Sequence, residues 1–202
     1  GTHEGKADVA IWSSRKVDGK WTAPVKLADG VESNWNPVLF YNEQGKLHLF
    51  YKEGQQISDW KTYLMTSDDN GKTWNEPCEM VVGDVSGGRG PVRNKPITLS
   101  NGSVVAGGSI EKGIWSAFVD VSTDGCVTWE KSAPIEIAGL KYNAGEKTAE
   151  SNIAVSEQSF YGRGVIQPSL WESTAGKVHM LLRSSEGYVY RADSEDYGKT
   201  WS

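Results

Sequence analysis

The sequence predicts an all-β fold made of four-stranded antiparallel units in series. Three observations predict it. An eight-residue signature recurs along the chain, and a polar–proline strand start recurs between its copies. Turn and anchor residues are abundant, with 23 Gly and 9 Trp among 202 residues. Gly-rich turns between aromatic and β-branched runs mark strands and hairpins rather than long helices.

The signature is a repeat, the first feature to seek in a chain of this kind. Ser67-Asp68-Asp69-Asn70-Gly71-Lys72-Thr73-Trp74 and Ser194-Glu195-Asp196-Tyr197-Gly198-Lys199-Thr200-Trp201 both read S-x-D-x-G-x-T-W. A third copy keeps Ser122, Asp124, Thr128 and Trp129 but has Cys126 at the glycine position. A decayed fourth copy is expected at Ser14 to Trp21. Such an Asp box predicts a hairpin connection. The aspartate accepts from backbone N–H groups of its own turn, the glycine permits a positive φ, and the tryptophan folds back between neighbouring sheets. Ser67, Asp69, Gly71, Trp74, Asp124, Trp129, Asp196, Gly198 and Trp201 are therefore read as structural, because one active site does not need several copies.

A second repeat supplies the strands. Asn36-Pro37, Lys95-Pro96 and Gln167-Pro168 each open a strand that runs to a Gly turn at Gly45, Gly102 or Gly176. Second strands are expected at 46–52, 103–108 and 177–183. Third strands are expected at 62–67, 116–122 and 188–194, and a short fourth at 79–82. Proline cannot donate to a ladder, so each first strand belongs on an edge. An inner edge facing a central channel places Asn36, Lys95 and Gln167 around one cavity.

About thirteen strands are expected, grouped as β-propeller blades at about 1–30, 31–84, 85–140 and 160–202, with an insertion at about 141–161. A complete ring takes about six such blades. The chain thus reads as a partial domain over 1–202, three to four blades, completed by further residues at both ends or by a second chain.

Composition narrows the function. The net charge of −5 and the lack of a basic stripe argue against a nucleic-acid binder. No apolar run reaches the ~18 residues of a membrane span. Cys78 and Cys126 fit no zinc spacing and read as packed thiols, so no metal or other cofactor is expected.

Beyond the Asp boxes, Gly1-Thr2-His3-Glu4-Gly5, Trp35-Asn36-Pro37-Val38-Leu39-Phe40, Gly88-Arg89-Gly90-Pro91-Val92-Arg93-Asn94-Lys95-Pro96 and His179-Met180-Leu181-Leu182-Arg183-Ser184 carry a likeness. Over essentially its whole length the chain resembles the sialidase (neuraminidase) superfamily, in its bacterial BNR-repeat branch. That resemblance implies a glycan or acidic-sugar substrate. It also implies three arginines on the substrate carboxylate, an aspartate acid/base and a Tyr–Glu nucleophile. Arg183 is similar in place to the second arginine. The Arg-Ile-Pro of the first is not in this chain, and the family glutamate falls near Gln167, an amide. The acid/base loop falls near His3, Glu4 and Asp8. The compartment stays open, with a secreted or periplasmic location favoured over the cytoplasm.

The candidate catalytic residues are accordingly His3, Glu4 and Asp8, with His3 suited to proton transfer near neutral pH. The candidate substrate-binding residues are Asn36, Arg93, Lys95, Gln167 and Arg183. Arg93 and Lys95 alternate along an expected strand and face one side, and two adjacent cations favour an anionic ligand. Arg183 offers a fork for a carboxylate. His48 and His179 are read as packing residues, and Arg89 and Arg163 as either loop braces or rim contacts. Three functions stay open: an exo-glycosidase of sialidase type on a terminal acidic sugar, a lyase on uronate-containing polysaccharide with a histidine acid/base, or a non-catalytic glycan binder.

Overall fold

A computed structural model describes residues 1–3, 5–143 and 162–202. Glu4 and most of the expected insertion lie outside the described residues. The described residues are all-β apart from one short 3-10 turn at Ile57–Asp59.

Four repeat units follow one another. In the first, β1 (Ile11–Ser13) pairs with β4 (Val25–Ala28), and between them β2 (Lys16–Val17) and β3 (Lys20–Trp21) form a hairpin. The second is an antiparallel sheet in the order β5 (Asn34–Tyr41), β6 (Leu47–Glu53), β7 (Lys61–Ser67), β8 (Cys78–Glu79). The third repeats it with β9 (Ile97–Thr98), β10 (Val104–Lys112), β11 (Ile114–Ser122) and β12 (Glu130–Lys131). The fourth has β13 (Arg163–Thr174), β14 (Lys177–Ser184) and β15 (Tyr190–Ser194). A short parallel pairing, Ile114 with Arg163 and Trp115 with Gly164, joins the third and fourth units at one end. Pro37 lies on the edge strand β5, as its missing N–H requires.

The Asp boxes form the expected turns. Asp69 accepts from the N–H groups of Lys72 and Thr73 at 3.0 and 2.9 Å and from the Thr73 hydroxyl at 2.7 Å, while Ser67 accepts from Gly71 N–H. Asp124 and Asp196 repeat this pattern with Thr128 and Thr200. Gly71 and Gly198 take φ of 75° and 84°, and Cys126 takes 77° at the same place, a left-handed conformation strained for any side chain. Cys126 is a buried free thiol, pushed up to about 12 by burial and then by Asp124. Cys78 corrects an expectation: it is exposed on the short edge strand β8 instead of packed.

Each box tryptophan packs into a core shared with the preceding unit. Trp74 joins Ile11 and Ala28 of the first unit to Leu49 and Met65 of the second. Trp129 packs with Val38, Phe40 and Phe50 of the second unit and Val104 of the third, meeting Phe50 edge-on at 6.0 Å. Trp201 packs on a core of Val105 and Val119 from the third unit with Val178 and Met180 from the fourth.

The segment 14–21 does not form a fourth box. Asp18 and Gly19 take φ of 48° and 79°, the two left-handed residues of a tight hairpin turn, so the chain reverses within two residues. Trp21 is 70% exposed as a result.

Candidate functional site

The register of the boxes defines equivalent positions. Ser67, Ser122 and Ser194 stand opposite Leu47, Val104 and Val178. Five residues further along, Lys52, Ser109 and Arg183 therefore hold the same place in their sheets. Their fates differ, and that difference builds the site.

In the second unit the place is sealed. Lys52 is fully buried, and its ammonium donates to the Thr62 hydroxyl at 2.7 Å and to the carbonyls of Gly88 and Arg89. Burial lowers its pKa to about 7, with Asp120 opposing and Arg89 reinforcing. The same crossing segment is braced by Arg89, which pairs with Asp84 at 2.8 Å and Asp120 at 2.7 Å and donates to Trp129 O. Arg89 is thus a brace, not a rim contact. Arg163 is likewise held, in a bidentate pair with Glu186 at 3.1 and 2.5 Å.

In the fourth unit the place is open. Arg183 lines a cleft of about 400 Å³ with Arg93 and Gln167. Asn94 and Ser169 add polar groups, and Leu181, Leu182 and Val189 an apolar side. The segment 87–96 reaches this cleft by lying against β10. Gly88 permits the approach, since a Cβ there would meet Ser109 O, and Gly107 lets β13 come close, since a Cβ there would meet Pro168 at 2.9 Å. Val92 N–H donates to Gly107 O, and Asn94 donates its amide to the carbonyls of Gln167 at 3.1 Å and Pro168 at 2.9 Å.

Two cleft residues have left-handed backbones, Arg93 at φ 70° and Gln167 at φ 57°. Gln167 sits in a bulge of β13, and Asn36 occupies the matching bulge of β5 at φ 46°. Such strain concentrates at functional positions. Neither Arg93 nor Arg183 makes a hydrogen bond or ion pair among the described residues.

Sequence reasoning missed one carboxyl. Glu111, near the end of β10, is half-buried with no hydrogen bond among the described residues. Burial pushes it up from the usual carboxylate range, opposed by Arg183 and then Arg93. The available signal was its register: it lies two residues beyond Ser109, at the strand end where Arg183 lies in the next unit.

The structure brings together Arg93, Gln167 and Arg183 of the expected binding set. Asn36 and Lys95 are not in the lining. The expectation that Arg93 and Lys95 alternate along a strand is corrected: residues 92–94 form a bend, β9 begins at Ile97, and the Lys95 side chain is exposed. His3 is exposed on a loop that Gln55 ties down through Gly5 O, and Asp8 accepts from Thr2 N–H at 2.9 Å. Neither lines the cleft. His48 is buried, which lowers its pKa. His179 stacks on Trp171 and meets Asp193 at 2.5 Å and Ser173 at 2.7 Å. Arg191 also donates to Asp193, at 2.9 Å, and lies 3.1 Å from the same imidazole nitrogen, so this group is a charge-neutralised network across one sheet face. Among the described residues no group of three or more His, Cys, Asp or Glu side chains could hold a metal ion, and no helix is long and apolar enough to cross a membrane.

The model of the BNR repeat-like domain matches residues 1–202. The chain belongs to the BNR repeat-like domain family. This BNR-repeat chain matches no curated protein in sequence. Solved structures share its fold. A Dyadobacter fermentans protein of unknown function is 19% identical with a TM-score of 0.71, covering 100% of this chain and 59% of that one. The NanB sialidase of Streptococcus pneumoniae is 12% identical with a TM-score of 0.71, covering 100% and 47%. The GH93 α-L-arabinofuranosidase of Fusarium graminearum is 16% identical with a TM-score of 0.59, covering 84% and 47%. The chain spans about half the length of these structures. The likeness to sialidase-like BNR-repeat proteins read from the Asp boxes is borne out at the level of family and fold.

Proposed function

We propose that this BNR-repeat chain is part of a carbohydrate-active β-propeller that binds a terminal acidic sugar between Arg93 and Arg183. The observation that carries this reading is the pair of guanidinium groups facing one cleft, neither with a hydrogen bond or ion pair among the described residues. Two cations at one cleft repel, with Glu111 a carboxyl whose charge both favour, and a bidentate carboxylate relieves that cost. Gln167, Asn94 and Ser169 supply groups for sugar hydroxyls, and Leu181 and Val189 an apolar side for a ring face. The four units are then blades at about 1–30, 31–84, 85–140 and 160–202, in a ring completed by further blades of the same or a second chain.

The reaction proposed is exo-glycosidic hydrolysis of that sugar. Sialidase and arabinofuranosidase among proteins of this fold support glycoside hydrolysis as the reaction class. His3, Glu4 and Asp8 keep their proposed proton-handling role from the sequence. A second reading, lyase action or binding alone, is favoured by one observation: among the described residues the cleft lining carries amides and cations but no carboxylate, with Gln167 where the family glutamate is expected.

Incubation with glycans ending in sialate or uronate, followed by product analysis, separates these readings. Release of the saturated acidic monosaccharide supports hydrolysis. An ultraviolet-absorbing unsaturated uronate supports a lyase. Retained binding without either product leaves a glycan binder, and absence of binding rejects the reading.

A further inference from the structure

A second set of reactive side chains lies on the fourth unit. Trp171 on β13, His179 on β14 and Asp193 on β15 share one face of the sheet, since Trp171 pairs with His179 and His179 with Asp193. The Ser173 hydroxyl lies 2.7 Å from His179 Nε2, and Asp193 Oδ1 lies 2.5 Å from Nδ1. An ionised carboxylate only accepts, so Nδ1 carries the imidazole hydrogen and Nε2 is left to accept from the Ser173 hydroxyl. Arg191 donates to the same Asp193 oxygen at 2.9 Å, and Trp171 stacks on the imidazole with 5.0 Å between ring centroids, so the tautomer and the ring plane are both held. A second Arg191 nitrogen lies 3.1 Å from Nδ1, whose hydrogen already points at Asp193, and adds charge to this face rather than a hydrogen bond.

The other units supply the contrast. His48 holds the place of His179 in the second unit, but it stands opposite Thr66 and meets the Lys46 carbonyl. Val105 and Val121 hold the places of His179 and Asp193 in the third. Leu64 and Val119, both buried, hold the place of Arg191. In those two units the face is mainly apolar and is covered by the box tryptophan of the next unit, Trp129 or Trp201. In the fourth unit it carries His179, Asp193 and Arg191 instead, with Ser173 and Trp171 exposed. The boxes recur because they are architectural, whereas this polar set occurs in one unit alone and replaces core residues there.

We propose that Ser173, His179 and Asp193 form a nucleophilic serine site that acts on carboxylic esters. His179 takes the hydroxyl proton as the Ser173 oxygen bonds to the ester carbonyl carbon, and gives it to the leaving alcohol as the C–O bond breaks. Water then enters by the same route: His179 takes a water proton, the water oxygen bonds to the acyl carbon, and the serine oxygen leaves with that proton. Ester and water are consumed, and one alcohol and one carboxylic acid are released. Asp193 stays ionised throughout and stabilises the imidazolium that forms in each half. Trp171 and Leu181 offer exposed apolar surface to the acyl group. Arg183 stands four residues along β14 from His179, about 13 Å away, so the site is separate from the acidic-sugar cleft and does not rest on it.

The test is reaction of the protein with a fluorophosphonate probe, mapped by peptide mass spectrometry, and with p-nitrophenyl acetate, followed by nitrophenolate release. The site predicts one phosphonyl group per chain, on Ser173, and an ester hydrolysis that Ser173→Ala removes. His179→Gln and Asp193→Asn, each shown to be folded by circular dichroism, should slow both reactions by at least about 100-fold. Absence of label on Ser173 of the unaltered, folded protein overturns the site, and this arm needs no variant. Labelling of Ser173 no faster than that of another exposed serine such as Ser86, or labelling unchanged in folded His179→Gln, also overturns it. Each of these outcomes leaves the acidic-sugar reading of Arg93 and Arg183 untouched.

Discussion

Arg93 and Arg183 reach one cleft from two different repeat units, and neither guanidinium has a hydrogen bond or ion pair among the described residues. Every other arginine of the third and fourth units has a carboxylate partner: Arg89 has Asp84 and Asp120, Arg163 has Glu186, and Arg191 has Asp193. The contrast separates the braces from the two guanidinium groups proposed to meet a ligand.

The box tryptophans, not tryptophans in general, hold the units together. Trp129 is 8% exposed in a core shared by two units, whereas Trp21 is 70% exposed on a hairpin. Trp129→Ala is expected to cost about 3–5 kcal/mol and Trp21→Ala less than about 0.5 kcal/mol, read from urea unfolding. Equal losses would mean that the boxes do not bind unit to unit.

Acid should weaken the turns. Asp124 and Asp196 are lowered from 3.8 to about 2, first by the side-chain hydroxyls of Thr128 and Thr200 and then by the same residues' N–H groups. Asp69 is lowered further, first by the Thr73 N–H. These groups bind fewer protons folded than unfolded, so their contribution is whole above 3.8 and is lost as pH falls towards about 2. Asp69→Ala should lower the thermal midpoint by roughly 2–4 °C at neutral pH, flatten the acid dependence and leave sugar binding unchanged. A change in sugar affinity would give the box a role at the site.

Lys52 is expected to support the cleft from a distance, because it anchors the segment that continues to Arg93. Lys52→Met leaves its acceptors unpaired and should cost about 1–3 kcal/mol. The sign with pH is opposite to the usual basic pair. A lysine lowered from 10.5 to about 7 binds fewer protons folded than unfolded, so stability should rise with pH across that window. Urea midpoints at several pH values check this, and the rise should vanish in Lys52→Met.

The boxes were legible because their chemistry is local: an aspartate, a left-handed position and a returning tryptophan lie within eight residues. The strand after each Gly turn was legible for the same reason. The segment 14–21 misled because Ser14 and Trp21 match a box while Asp18-Gly19 makes a two-residue hairpin turn, and the tighter turn forms. Lys95 misled because Asn94 ties its segment to the β13 bulge through two carbonyls, which no alternation pattern reveals. Glu111 and the pairing of Arg93 with Arg183 depend on which strand ends meet, a property of register between units rather than of any one segment.

The central claim is that Arg93 and Arg183 together hold a carboxylate, and the affinity for D-glucuronic acid against its methyl ester tests it most directly. The unaltered protein should bind the acid and not the ester. Arg183→Ala should weaken binding of the acid by about 1 kcal/mol while remaining folded, since its side chain is exposed. Equal affinity for acid and ester, or an unchanged affinity in folded Arg183→Ala, would contradict the account.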